Sequence, residues 1–256
     1  MLYVYKKVNT IFDTIKFNLF LIYVLVTSSI LNKLIEQRWV QDRYLLSDVD
    51  GRTFVDGQYY GVLMLIDKNL DVRQLSTFPF NTRQGRQLLL AEIQVRTENF
   101  LIGTVHLESS RSENNFRSQQ LQTCQQVFDR YSMNRPNVTR LLIGDFNFDA
   151  NWRENSIQMN ILKNWIDLWL QLNGTHRPGF TLGTLRFDRI MFQSLRVNPI
   201  QMQIIGDKPT DQVFHPTIFS TNRFDYSLLN TYDQTKRNIL PSDHFGLMAD
   251  FDLNYI

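Results

Sequence analysis

The chain has 256 residues, 43% of them apolar and 20% charged, with a net charge of +2. Such a composition excludes a disordered chain, the length suits one α/β domain with a sizeable core, and the near-neutral charge gives no argument by itself for nucleic acid or an anionic membrane as partner. The single cysteine, Cys124, excludes an intrachain disulfide and a zinc site built on paired cysteines, and it fits a reducing compartment.

In chain order, "KFNLFLIYVLVTSSI" carries an apolar run from Leu19 to Val26 behind several lysines. That outline resembles a signal peptide, and the run is short for a membrane span. With Ile22, Tyr23, Val24 and Val26 it reads better as a buried β-strand. "ILNKLIEQRWVQD" follows as a helix. "YYGVLMLI" (59–66) is a buried strand, which Asp67-Lys68-Asn69 turns into a second around "DVRQLSTF". "QLLLAEIQVR" and "FLIGTVHL" flank Thr97-Glu98-Asn99 as another hairpin. Ser110 and Glu113 have capping-box spacing, ahead of a helix whose apolar face is Phe116, Leu121, Cys124, Phe128 and Tyr131. "RLLIGDFN" is a strand, and "SIQMNILKNWIDLWLQL" a helix stopped by Asn173-Gly174. "RFDRIMF" and "IQMQIIG" are strands, 206–241 a long loop with Pro209, Pro216 and Pro241, and "HFGLMADFDL" a closing strand. Helices interleave with hairpins rather than alternating strictly with strands. The pattern predicts an α/β fold with mixed sheets packed on one another under helices.

Four polar clusters stand at strand ends: His106 in "GTVHLES", Asp145 and Asn147 in "GDFN", Asp188 in "RFDRI", and Asp243-His244 in "SDHF". Each alone has a plain structural explanation: a hydrogen-bonded histidine, an Asx turn, a loop cap. Together they supply the parts of one reaction, phosphodiester hydrolysis. That chemistry needs a carboxylate to hold Mg²⁺, a base for water, donors on the phosphoryl oxygens and an acid to hold an imidazole. Neither a G-x-S-x-G nucleophile elbow nor a Walker loop is present.

In sequence order, "HLES", "GDFN", "RFDRI" and "SDHFG" resemble the endonuclease/exonuclease/phosphatase superfamily of metal-dependent phosphoesterases. "GTVHLESSR", "LRFDRIMF" and "PSDHFGLMADF" are most similar to its 5′-tyrosyl-DNA phosphodiesterase branch. The likeness covers residues 26–256 as one domain, leaving 1–25 as a divergent apolar N-terminus. It implies a four-layer α-β-β-α sandwich of two mixed sheets, N-terminally incomplete. It further implies that His106, Asn147 and His244 contact the scissile phosphate, with Ser109 and Arg111 beside it. By the same likeness Asp145 positions or activates water, Asp188 orients His244, and Asp243 helps hold Mg²⁺ (or Mn²⁺). For Ser109 and Arg111, helix capping and a solvated charge are equally good readings. The implied substrate is a DNA end or another phosphodiester, handled by an intracellular monomer in nucleus or cytoplasm, with no stable protein partner. A membrane anchor or secretion through residues 17–31 is the less favoured reading.

Two motifs of that family are missing. Counting back from the helix at Ile30, its Gln-Glu-Val metal motif falls on Val24-Leu25-Val26, and leucine has no ligand atom. Asn18 resembles the family's first asparagine but stands too close to Leu25 for the intervening helix. Glu36 and Glu108 are the nearest other carboxylates, and neither is well placed to substitute. His106 would also lose the Glu expected to orient it. Arg153 reads as a helix-start charge, and Trp152, Tyr59 and Tyr60 as core anchors rather than base-stacking platforms. Two rivals follow: another phosphoesterase or nuclease of the superfamily, and a catalytically silent phosphate-binding module.

Overall fold

The computed structural model describes residues 20–54, 60–207 and 242–253. Asn18, Tyr59 and the stretch 208–241 lie outside them. The elements run β1 (Phe20–Thr27), α1 (Ser28–Ile35), α2 (Arg38–Arg43), β2 (Tyr44–Leu46), β3 (Tyr60–Asp67), β4 (Asp71–Pro79), β5 (Gln87–Val95) and β6 (Glu98–His106). They continue α3 (Asn114–Tyr131), β7 (Thr139–Asp145), α4 (Arg153–Ile161), β8 (Ile166–Asp167), α5 (Leu168–Asn173), β9 (Asp188–Gln193), β10 (Val197–Ile205) and β11 (Gly246–Leu253).

Strands with both faces buried carry apolar residues at every position, and period-two alternation divides those residues between two cores. On β3, Val62, Met64 and Ile66 face one core and Leu63 and Leu65 another. On β5, Leu89, Ala91 and Ile93 face that first core, while Leu88 and Leu90 face a third. The first core therefore lies between two sheets. One side is a six-stranded mixed sheet, β4-β5-β6-β7-β9-β8; the other is the three-stranded β1-β3-β2 and the β10-β11 pair. Helices α1 and α2 cover the outer face of β3 through Leu31 and Val40. Helix α3 covers the six-stranded sheet through Leu121, Cys124 and Phe128. The result is a four-layer α-β-β-α sandwich. The apolar run near the N-terminus is strand β1, antiparallel to β3. Among the described residues no helix is long and apolar enough to cross a membrane.

Three local expectations change. The turn at Asp67 forms, with Asp67 Oδ1 accepting from the Asn69 backbone N–H at 3.0 Å. It carries the chain from one sheet to the other instead of closing a hairpin, since β3 pairs with β1 and β2 while β4 pairs with β5. The stretch 156–172 is not one helix. It breaks after α4, pairs briefly with β9 as β8, and restarts as α5 with Asp167 as N-cap. Asp167 is also the carboxylate for Arg186 (2.8 Å) and Arg189 (3.2 Å), so buried ion pairs fix the break. Finally, the Ser110–Glu113 capping box does not form. Ser110 has φ +75°, a 3-10 turn spans Arg111–Glu113, and α3 begins at Asn114 with no side-chain cap.

Candidate active site

Strand register assembles the centre of the site. Parallel pairing of β6 with β7 sets His106 beside Asp145, and antiparallel pairing of β7 with β9 sets Asp145 beside Asp188. Neighbouring strands are about 4.8 Å apart, so one rung across the rim holds an imidazole and two carboxylates. All three are buried. Gly144 makes the rung fit. Its φ is +144°, and a Cβ there would stand 1.9 Å from the Val105 carbonyl oxygen. Only glycine allows β7 to approach β6 this closely.

Past the rung, Phe146 and Phe148 are fully buried in the core under α3 and α4, which turns Asn147 toward the rim. Asn147 takes φ +55°, a conformation asparagine tolerates. Its backbone N–H donates to Asp145 Oδ1 at 2.8 Å, and its side-chain Nδ2 donates to the Leu107 carbonyl at 2.8 Å. His244 enters from the segment before β11. Thr181 docks that segment on the start of β9: its carbonyl accepts from Phe245 N–H at 2.7 Å, and its hydroxyl oxygen accepts from the Phe187 and Asp188 N–H groups. His244 Nδ1 then stands 2.9 Å from Asp188 Oδ2.

The charges are unevenly shared. Burial works against a charged His244 ring, but the Asp188 hydrogen bond and the charges of Asp188, Asp145 and Asp243 outweigh it and raise the ring to about 9. His106 moves the other way. Burial, then the Arg86 and His244 charges, hold it well below the usual histidine value, so it is neutral at pH 7. Burial and the Asp188 charge push the Asp145 carboxyl up, against the pull of His244. The expectation that His106 lacks an orienting partner is corrected: Arg86 Nη1 stands 2.8 Å from its Nδ1, and Asp145 Oδ2 lies 3.5 Å from its Nε2.

The remaining sequence candidates divide. Ser109 joins the site, its hydroxyl oxygen accepting from Arg86 Nη2 at 2.9 Å. Exposed Arg111 lies 4.8 Å over the Trp152 ring, and Trp152 in turn packs edge-on against Phe187. Asp145, Asp188 and His244 offer ligand atoms within 4.8 Å of one another, a grouping able to hold a metal ion. Asp243 stands apart from that group, exposed and accepting from Ser242 Oγ at 3.2 Å. Glu108 is fully buried and committed to Thr82, the Arg83 backbone and Gln120. Asp149 is structural, accepting from the Asn151 and Arg186 backbone N–H groups. Tyr60 lies under the Arg86 guanidinium, 5.3 Å from ring centre to charge, and Arg153 is an exposed helix-start charge.

Arg86, Thr181 and Arg117 escape a reading of motifs. Arg86 had a signal: it precedes β5 by one residue, and the β5–β6 hairpin register returns it to the level of His106 and Leu107. Arg117 is fully buried on α3. It donates to both Glu154 carboxylate oxygens (2.6 and 2.7 Å) and to the Glu108 and Ser110 carbonyls (2.8 and 2.7 Å), bracing the segment that carries Ser109. An arginine among α3's polar residues gives no sequence sign of this.

No protein-family model matches the chain. It is 25% identical over 219 residues to tyrosyl-DNA phosphodiesterase 2 of Xenopus laevis, covering 77% of this chain and 50% of that protein. The chain thus spans about half the length of the curated relatives it matches. A crystal structure of D. rerio TDP2 complexed with single-strand DNA product superposes with a TM-score of 0.66 at 18% identity, over 90% of this chain and 84% of that one. An endonuclease/exonuclease/phosphatase family protein from Bacteroides thetaiotaomicron superposes at 0.55 and 14% identity, over 82% and 75%. By rung, layers and likeness together, the chain is a protein of the endonuclease/exonuclease/phosphatase fold, similar in sequence to tyrosyl-DNA phosphodiesterase 2.

Proposed function

We propose that the chain binds a phosphodiester at the end of a DNA strand and hydrolyses it by water attack, a reading supported by its likeness to proteins named tyrosyl-DNA phosphodiesterase 2. The observation that carries this reading is the His106–Asp145–Asp188 rung, with His244 seated on Asp188. In the proposed pose the phosphoryl oxygens receive donors from His106 Nε2, a charged His244 and the second N–H of Asn147, with Ser109 and Arg111 at the margin. Asp145 orients the water and accepts its proton as the new P–O bond forms; the bond from phosphorus to the leaving oxygen breaks, and that oxygen departs as phenolate to be protonated by solvent. Asp188 holds the imidazolium of His244 in place, which keeps a fixed positive charge where negative charge develops.

The donor set suits a divalent cation, Mg²⁺ or Mn²⁺, in number. Such ions use one or two carboxylates together with water and substrate phosphate, and Asp145 and Asp188 would be placed to supply them. When bound, the cation would neutralise the phosphoryl oxygens. Asp243, exposed beside His244, would assist from the outer side. Leu25 adds no ligand, so the affinity is expected to be weaker than in a site with a third carboxylate. Leu25 also favours the second reading, a module that holds a 5′-phosphate end without cleaving it.

The test is release of tyrosine from a 5′-tyrosyl oligonucleotide, with Mg²⁺ and with EDTA, by the chain and by its Asp145→Asn and His244→Gln variants. Metal-dependent release lost in both variants supports hydrolysis. Binding of a 5′-phosphorylated oligonucleotide without release supports the silent module. Neither binding nor release overturns both.

A further inference from the structure

The guanidinium of Arg86 is buried, with only 4% of the residue exposed. Among the described residues no carboxylate forms an ion pair with it, and its Nε has no hydrogen-bond partner. A buried cation in such a setting is held by other contacts. Nη2 donates to Gln84 Oε1 at 3.0 Å and to Ser109 Oγ at 2.9 Å, and the plane lies over the Tyr60 ring. Gln84 is itself fixed, since its Oε1 also accepts from the Ser109 backbone N–H at 2.7 Å. The fork therefore has one orientation, and in it Nη1 points at His106 Nδ1 from 2.8 Å.

Arginine has five N–H donors and no acceptor, so the hydrogen on this contact belongs to Arg86 and Nδ1 offers its lone pair. A neutral imidazole carries one proton, which must then sit on Nε2. We infer that Arg86 is a positioning residue that fixes His106 as the Nε2–H tautomer, so that the ring presents an N–H donor, and not a lone pair, to the centre of the rung. The geometry at the other nitrogen agrees. Nε2 stands 3.5 Å from Asp145 Oδ2, where a hydrogen is attractive and a lone pair would face a carboxylate oxygen. The same N–H is aimed where the proposed phosphate would lie, so the inference deepens the functional reading and rests on it for its purpose. The tautomer itself does not depend on that reading.

The test reads the tautomer directly, by two-bond ¹H–¹⁵N correlation of the His106 ring in ¹⁵N-labelled protein at neutral pH. The inference predicts one protonated nitrogen, Nε2, and an unprotonated Nδ1 at its far-downfield position. Arg86→Met, which keeps length and removes every donor, is expected to give a mixed or reversed tautomer. Arg86→Lys, which retains a donor, is expected to keep Nε2–H. An Nδ1–H tautomer in the parent overturns the inference, as does an unchanged tautomer in a folded Arg86→Met protein. If Arg86→Met fails to fold, the parent spectrum alone decides. Phosphate-end binding by His106→Ala is measured alongside. Unaltered binding there sinks the assigned role of His106 in phosphate contact while leaving the tautomer result standing, so the two claims fail separately.

Discussion

Replacing Arg117 with methionine should destabilise the protein by about 3–5 kcal/mol, the usual cost of breaking a buried ion pair by removing one partner. The structure sets the size. The Arg117 side chain is 0% exposed and the Glu154 side chain 9%, and the pair is bidentate. Methionine fills much of the volume but leaves the Glu154 carboxylate buried without its cation; it also takes the Arg117 donor from the Glu108 carbonyl and leaves the Ser110 carbonyl with the Glu113 N–H. A second substitution, Glu154→Leu on top of Arg117→Met, removes the orphaned charge and should recover part of that loss. Urea denaturation of the parent, both single variants and the double variant gives the cycle, with a coupling energy expected between about 1 and 3 kcal/mol. Because Arg117 braces the segment bearing Ser109, the single variant should also loosen the Ser109–Arg86 contact, visible as faster amide exchange over 108–111. A loss below about 1 kcal/mol for Arg117→Met, or a double variant less stable than either single, would refute the argument that this pair clamps the loop.

Other perturbations test other layers. Gly144→Ala should cost about 2–6 kcal/mol, from a strained positive φ and a Cβ driven into the Val105 carbonyl; a thermal midpoint near the parent's would show that β7 can retreat from β6. Asp48 accepts from Asp50, Gly51 and Thr53, and those bonds hold its carboxyl below the usual range although burial opposes them. A depressed carboxylate contributes stability above its unfolded value and loses it as pH falls through the folded one, so Asp48→Asn should cost about 1–3 kcal/mol at pH 7 and converge on the parent as pH falls below the ordinary carboxylate range. Equal stability of the two at pH 7 would count against the turn. For the rim, Asp188→Asn should leave the fold standing while releasing His244. Its imidazole titration, followed by NMR, should drop from about 9 toward the ordinary histidine value.

Much of this could be read from residues because the site is made at strand ends, where apolar alternation stops abruptly and a polar group stands out. His106, Asp145 and Asp188 each follow or open such a strand, and register alone brings them together. The misses share a cause. Nothing local to Asp67 says whether its turn closes a hairpin or changes sheets, and nothing local to 156–172 says that β9 will capture Ile166 and Asp167. Those outcomes are decided by which apolar face must be buried against which, a tertiary matter. Arg86 and Arg117 were hidden differently: arginine on a loop or a polar helix face is ordinarily solvated, and only the folded structure shows that these two are buried. The capping spacing at Ser110 failed because Arg117 and the Glu113 N–H claim the Ser110 carbonyl and the chain takes a positive φ there.

If the rung binds a phosphoester as proposed, its weak point is Leu25, which brings no carboxylate to β1. Strand β1 ends with Val26 opposite Gly61 and Thr27 opposite Tyr60, at the rim where Arg86 meets Tyr60. The most direct measurement compares the parent with Leu25→Glu for cleavage of a 5′-tyrosyl oligonucleotide across a Mg²⁺ titration, with folding of both checked by circular dichroism. The glutamate variant should need less Mg²⁺ and turn over faster than the parent, as a site given an anionic oxygen should. Two folded proteins that are equally inert at every Mg²⁺ concentration would contradict the proposal.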